Sequence, residues 1–66
     1  MHISLNGEPI ALPAGNTVAQ LLWQQSLADR RVAVEVNGAI VPRSAHAANV
    51  LHEGDRVEIV HALGGG

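Results

Sequence analysis

The chain has 66 residues, a formal net charge of -2 with its histidines neutral, no cysteine and no lysine. That length allows one domain with a marginal core, because a chain of this size buries only about 60% of the surface its unfolded form exposes. Disulfides and thiolate metal sites are excluded. The acidic balance argues against nucleic acid: Arg30, Arg31, Arg43 and Arg56 are scattered, and Trp23 is the only aromatic residue.

No apolar run approaches the ~20 residues of a membrane span. No charged-then-apolar leader opens the chain, so a cytoplasmic protein is expected. A buried multi-residue active site would compete with the small aliphatic core for space. The composition favours a binding or carrier module over a self-sufficient enzyme.

In chain order, His2-Ile3-Ser4-Leu5 alternates polar and apolar as a half-buried strand does. Asn6-Gly7 is a strong hairpin signal, because both positions tolerate positive φ. Ile10-Ala11-Leu12 reads as the return strand, with Pro9 at its start and Pro13-Ala14-Gly15 as its break. Thr17-Val18-Ala19-Gln20 fits a helix capping box, and Val18, Leu21 and Leu22 form one apolar stripe. The helix is expected to fade near Gln25 or Ser26.

Val32-Ala33-Val34-Glu35-Val36 is the clearest strand, β-branched on one face. Asn37-Gly38 is a second hairpin signal, leading to a short strand at Ile40-Val41 that Pro42 ends. The segment from Ser44 to Leu51 is ambiguous, and its reading is one helical turn followed by a short strand around Val50. After the Glu53-Gly54-Asp55 turn, Arg56 to Ala62 is the last strand. The order ββαβ(β)β predicts an α+β fold: a mixed sheet of four to five strands packed on one helix, with the last strand parallel to the first. This is the β-grasp (ubiquitin-like) arrangement.

The chain divides into a domain at 1–63 and a glycine tail at 64–66. At an average glycine usage of about 7%, three terminal glycines arise by chance in roughly one chain in three thousand. Glycine lacks a Cβ, so backbone can thread a narrow channel. A Gly66 carboxylate at the end of such a thread is the expected reactive group, with Gly64 and Gly65 as the thread. With no lysine, the Met1 amine is the only primary amine available to attack an activated C-terminus.

Several segments together carry a resemblance. They are Val36-Asn37-Gly38-Ala39-Ile40-Val41-Pro42-Arg43, Glu53-Gly54-Asp55-Arg56-Val57-Glu58-Ile59-Val60, the Gly15-Asn16-Thr17-Val18 helix entry with Leu21-Leu22, and the terminal glycines. Over essentially its whole length the chain resembles the ThiS family, the ubiquitin-like sulfur carriers of bacterial thiamine biosynthesis. The resemblance implies a protein co-substrate, not an enzyme. A ubiquitin-activating-type enzyme, using ATP and Mg, adenylates the Gly66 carboxylate. Sulfur from a persulfide enzyme then makes a thiocarboxylate, which supplies thiazole synthase. The chain itself binds no cofactor in this scheme. It carries no Walker-type phosphate loop and no cysteine to hold a persulfide.

Strand alternation adds a docking surface. With Val57 and Ile59 facing the helix, Glu58, Val60 and Ala62 face out, as do Ala33 and Glu35. Val60, Ala62, Leu63 and Ala33 are the expected partner-binding patch, and the activating enzyme the expected partner. His2, His46, His52 and His61 lack metal-ligand spacing, so no metal is expected. Pairing of the first and last strands would make His2 and His61 neighbours, but two histidines alone seldom make a site. Trp23 reads as a partly buried residue at the helix edge, and Arg30-Arg31 as a solvated loop.

Three other readings stay open. One is the small subunit of molybdopterin synthase, usually longer and with an aromatic residue before its glycine pair, where this chain has Leu63. Another is a carrier for a different thiolated metabolite. The third, of another class, is a non-catalytic β-grasp interaction module.

Overall fold

The computed structural model describes residues 1–61. Among these are β1 (His2–Leu5), β2 (Glu8–Ala11), α1 (Val18–Gln24), β3 (Val32–Val36), β4 (Ala39–Val41) and β5 (Arg56–His61). A 3-10 turn at Arg43–Ala45 precedes β5. The strands form one sheet in the order β2-β1-β5-β3-β4. β1 and β5 run parallel, and the other neighbours are antiparallel. This is the expected β-grasp fold, with the last strand at the centre.

Both Asn-Gly pairs close their hairpins through positive φ: Asn6 at 51° and Gly7 at 86°, Asn37 at 53° and Gly38 at 86°. Such turns match the right-handed twist of the strands they join. β2 begins at Glu8, earlier than expected, with Pro9 inside it and opposite Ser4. The Ser4 N–H donates to the Asp55 carbonyl at 3.0 Å, on the side of β1 away from β2. The Ser4–Pro9 pair therefore needs no ladder bond, and the missing proline donor costs nothing there.

α1 lies on one face of the sheet. Its Val18, Leu21 and Leu22 are buried against Ile3, Leu12, Val34, Leu51, Val57 and Ile59. The expected capping box is present: the Gln20 N–H donates to Thr17 Oγ1 at 3.2 Å, and the Thr17 N–H donates to Gln20 Oε1 at 2.8 Å. The next two amides are satisfied from a distant loop. Val18 N–H donates to the Asn49 carbonyl and Ala19 N–H to the His46 carbonyl, each at 3.0 Å. The first four donors of the helix all have partners, as a buried helix end requires.

The helix closes with a Schellman motif. Ser26 takes a φ of 61°. Its N–H donates to the Trp23 carbonyl at 3.1 Å, and Leu27 N–H donates to the Leu22 carbonyl at 2.7 Å. Leu27 then packs against the core.

The segment from Ser44 to Leu51 follows the expected order of turn then extended piece, each in a shorter form. The 3-10 turn occupies its start, and Val50 forms an isolated bridge to Thr17. Between them His46 is buried, with Nε2 donating to the Val41 carbonyl at 3.0 Å.

Candidate functional site

β5 is the strand that leads into residues 62–66, so its fixation bears on any chemistry there. Antiparallel pairing with β3 runs from Val36↔Val57 to Val32↔His61. On the other side β1 pairs only through Ser4↔Arg56 and Leu5↔Val57. The ladder continues because a side chain imitates a strand. Asn6 Oδ1 accepts from Ile59 N–H at 2.8 Å, and Asn6 Nδ2 donates to the Ile59 carbonyl at 3.3 Å. The second turn asparagine holds the start of β5: Asn37 Oδ1 accepts from Arg56 N–H at 2.9 Å, and Asn37 Nδ2 donates to Asp55 Oδ1 at 3.0 Å. Asp55 Oδ2 in turn accepts from His52 N–H at 2.8 Å, closing the turn before β5.

The face of β5 opposite α1 is open. Val60 is 60% exposed and stands directly across from half-buried Ala33. These two members of the expected patch are brought together. Ala62 and Leu63 lie outside the described residues, as do Gly64, Gly65 and Gly66.

The outer face also holds Glu58 and Glu35, as strand alternation expects, and Ile40, which the sequence reading did not assign to it. Ile40 is 62% exposed and pairs with Glu35, which pairs on its other side with Glu58. The row Glu58–Glu35–Ile40 therefore crosses three strands, two residue pairs from Val60–Ala33 and on the same face. The signal was available: the Asn37-Gly38 turn sets the β3–β4 register, and that register puts Ile40 beside an outward residue.

Other expectations are corrected. Trp23 is 71% exposed rather than partly buried. The buried stripe of this short helix is fully supplied by Val18, Leu21 and Leu22, and the indole points away from it. With Asn16, Gln20 and Gln24 it lines an open cleft of about 360 Å³. His2 and His61 do not become neighbours. Parallel pairing sets His2 beside Gly54, whose N–H donates to the His2 carbonyl at 2.8 Å, while His61 ends β5. Strand rise puts roughly 20 Å between them.

Among the described residues no group of three or more His, Asp or Glu side chains is placed to hold a metal ion. His2 faces Glu53 instead, with Nδ1 3.8 Å from Oε2 on an exposed surface. Arg30, Arg31 and Arg43 are exposed. No helix among the described residues is long and apolar enough to cross a membrane.

The sequence profile of the ThiS family matches residues 3–66. The chain belongs to the ThiS family. Along its full length it is 32% identical to the sulfur carrier protein ThiS of Escherichia coli, covering all of that protein. The crystal structure of the thiamine biosynthesis protein ThiS from Geobacter metallireducens superposes with a TM-score of 0.87 at 33% identity, over the whole of both chains. The chain is also 48% identical over all 66 residues to a thiazole synthase of Magnetococcus marinus, and it spans 20% of that protein's length. A thiazole synthase of Paramagnetospirillum magneticum, 42% identical, has the same proportion. The ThiS family fold and the strand order described above thus agree.

Proposed function

We propose that this chain is a sulfur carrier of thiamine biosynthesis, a protein co-substrate rather than a catalyst. The observation that carries the reading is the ThiS family match over residues 3–66, with full-length likeness to a named sulfur carrier. Thiazole synthase is the proposed sulfur acceptor. It is supported by the two thiazole synthases in which a segment similar to this whole chain makes up 20% of the protein.

The chemistry is assigned to Gly66. A carboxylate is a poor electrophile, so it must first gain a leaving group. Its oxygen attacks the α-phosphorus of ATP on an adenylating partner, and pyrophosphate departs. A persulfide sulfur then displaces AMP from the carbonyl carbon. Cleavage of the S–S bond by a thiol leaves a thiocarboxylate. Gly64 and Gly65 supply the side-chain-free thread into the partner's site, and Val60 with Ala33 begins the surface on which the partner rests. The described part of the chain contributes position, by fixing β5 through both neighbouring strands.

Intact-mass spectrometry tests this after incubation with an adenylating enzyme, MgATP and a persulfide donor. The expected gain is that of one sulfur replacing one oxygen, and deletion of Gly66 is expected to abolish it. Absence of both this gain and an AMP adduct, with an enzyme active on another carrier, supports the interaction-module reading instead.

A further inference from the structure

The outer face carries an unusual charge arrangement. Glu35 and Glu58 are direct cross-strand partners, and both lie on the face away from α1. Opposed side chains in such pairs have Cβ atoms about 5 Å apart, and like charges there are destabilising. Among the described residues neither carboxylate forms an ion pair; the pair present is His2–Glu53. Arg56 shares the face one rung from Glu58 but is not joined to it. Ile40 on β4 flanks Glu35, and Val60–Ala33, two residue pairs along, is the next pair on this face. The acidic pair is therefore bordered by exposed apolar side chains on two sides.

The geometry points to a specific occupant: a partner protein surface that presents an arginine to Glu35 and Glu58 together, set among apolar side chains that cover Ile40 and Val60. Two carboxylates on directly opposed positions of neighbouring strands suit the planar, several-donor guanidinium better than a point charge. Apolar cover around them excludes water and strengthens the charge-assisted bonds. A second copy of this chain is a poor occupant, because it would bring two more carboxylates to the same place. The inference rests on the carrier reading, since the partner in question is the one that adenylates Gly66. The face and the tail are linked through β5, so a protein seated here holds the strand that feeds its active site.

The test compares the wild-type chain with the E35Q/E58Q double variant as substrates for the adenylating enzyme. Formation of the AMP adduct is followed at several carrier and salt concentrations, beside thermal unfolding. Glutamine keeps the shape and removes the charge. The variant is expected to show a KM about tenfold higher with kcat unchanged. The rise of wild-type KM with salt is expected to flatten in the variant. Its thermal midpoint is expected to be no lower than that of the wild type. An equal KM and salt dependence for the two proteins overturns the inference and leaves the carrier reading standing. A fall in kcat alone, or a wild-type dimer that the substitutions dissociate, also overturns it. A wild-type chain that takes no AMP overturns the carrier reading, and this inference with it.

Discussion

Ser26 holds a left-handed conformation with a Cβ present, at a position where glycine is the usual residue. The conformation is sterically costly for an L-residue, and the Schellman bonds of Ser26 and Leu27, with the packing of Leu27 on the core, offset it. Ser26→Gly is expected to stabilise the protein by about 0.5 kcal/mol, net of the greater freedom glycine brings to the unfolded chain. Urea unfolding should show a higher midpoint at an unchanged slope. The absence of glycine also explains why the helix end was legible only to within a residue or two. Asn6 and Asn37 show a related limit. Their turn role was readable from the Asn-Gly pairs, since it depends on adjacent residues. Their carboxamide bonds to Ile59 and Arg56 reach across 53 and 19 positions of sequence, which no local pattern encodes.

At the scale of elements, the strands and the capping box were legible because their signals are periodic or short-range. The stretch from Ser44 to Leu51 was legible only in outline, because its conformation is set from outside. Its carbonyls at His46 and Asn49 serve as acceptors for the first turn of α1, and the His46 ring is held by the Val41 carbonyl. The loop and the helix start are thus one hydrogen-bonded unit. His46→Ala removes the buried ring and its bond together. A loss of about 2 kcal/mol is expected in chemical denaturation. Hydrogen exchange is expected to locate the damage, with protection falling at the Val18 and Ala19 amides more than at those of β3. Equal losses throughout the sheet would mean that the loop and the helix start are not coupled in this way.

For the whole molecule, the order ββαβ(β)β with a parallel first–last pair was enough to predict the architecture, since one helix over one sheet face is the smallest way to bury these stripes. The candidate site was legible in half. Alternation along β3 and β5 placed Ala33, Glu35, Glu58 and Val60 on the open face, but Ile40 joins Glu58 and Glu35 in a row only once three strands share a register. The open face predicts a separation of folding from function. Val60→Asp changes an exposed position, so unfolding free energy is expected to stay within about 0.5 kcal/mol of the wild type. Adenylation is expected to become poor. Unchanged adenylation kinetics would remove Val60 from the docking surface.

The central position of β5 has a mechanical consequence. Hydrogen bonds of a sheet lie across its strands, so a pull exerted through His61 along β5 loads them in shear, on both flanks at once. An edge strand such as β2 or β4 has a neighbour on one side only and can be peeled away bond by bond. A partner that draws the C-terminal segment into a channel is therefore hauling on the best-anchored strand of the sheet. The force spreads into β1 and β3 and, through the Asn6 and Asn37 carboxamides, into both hairpin turns.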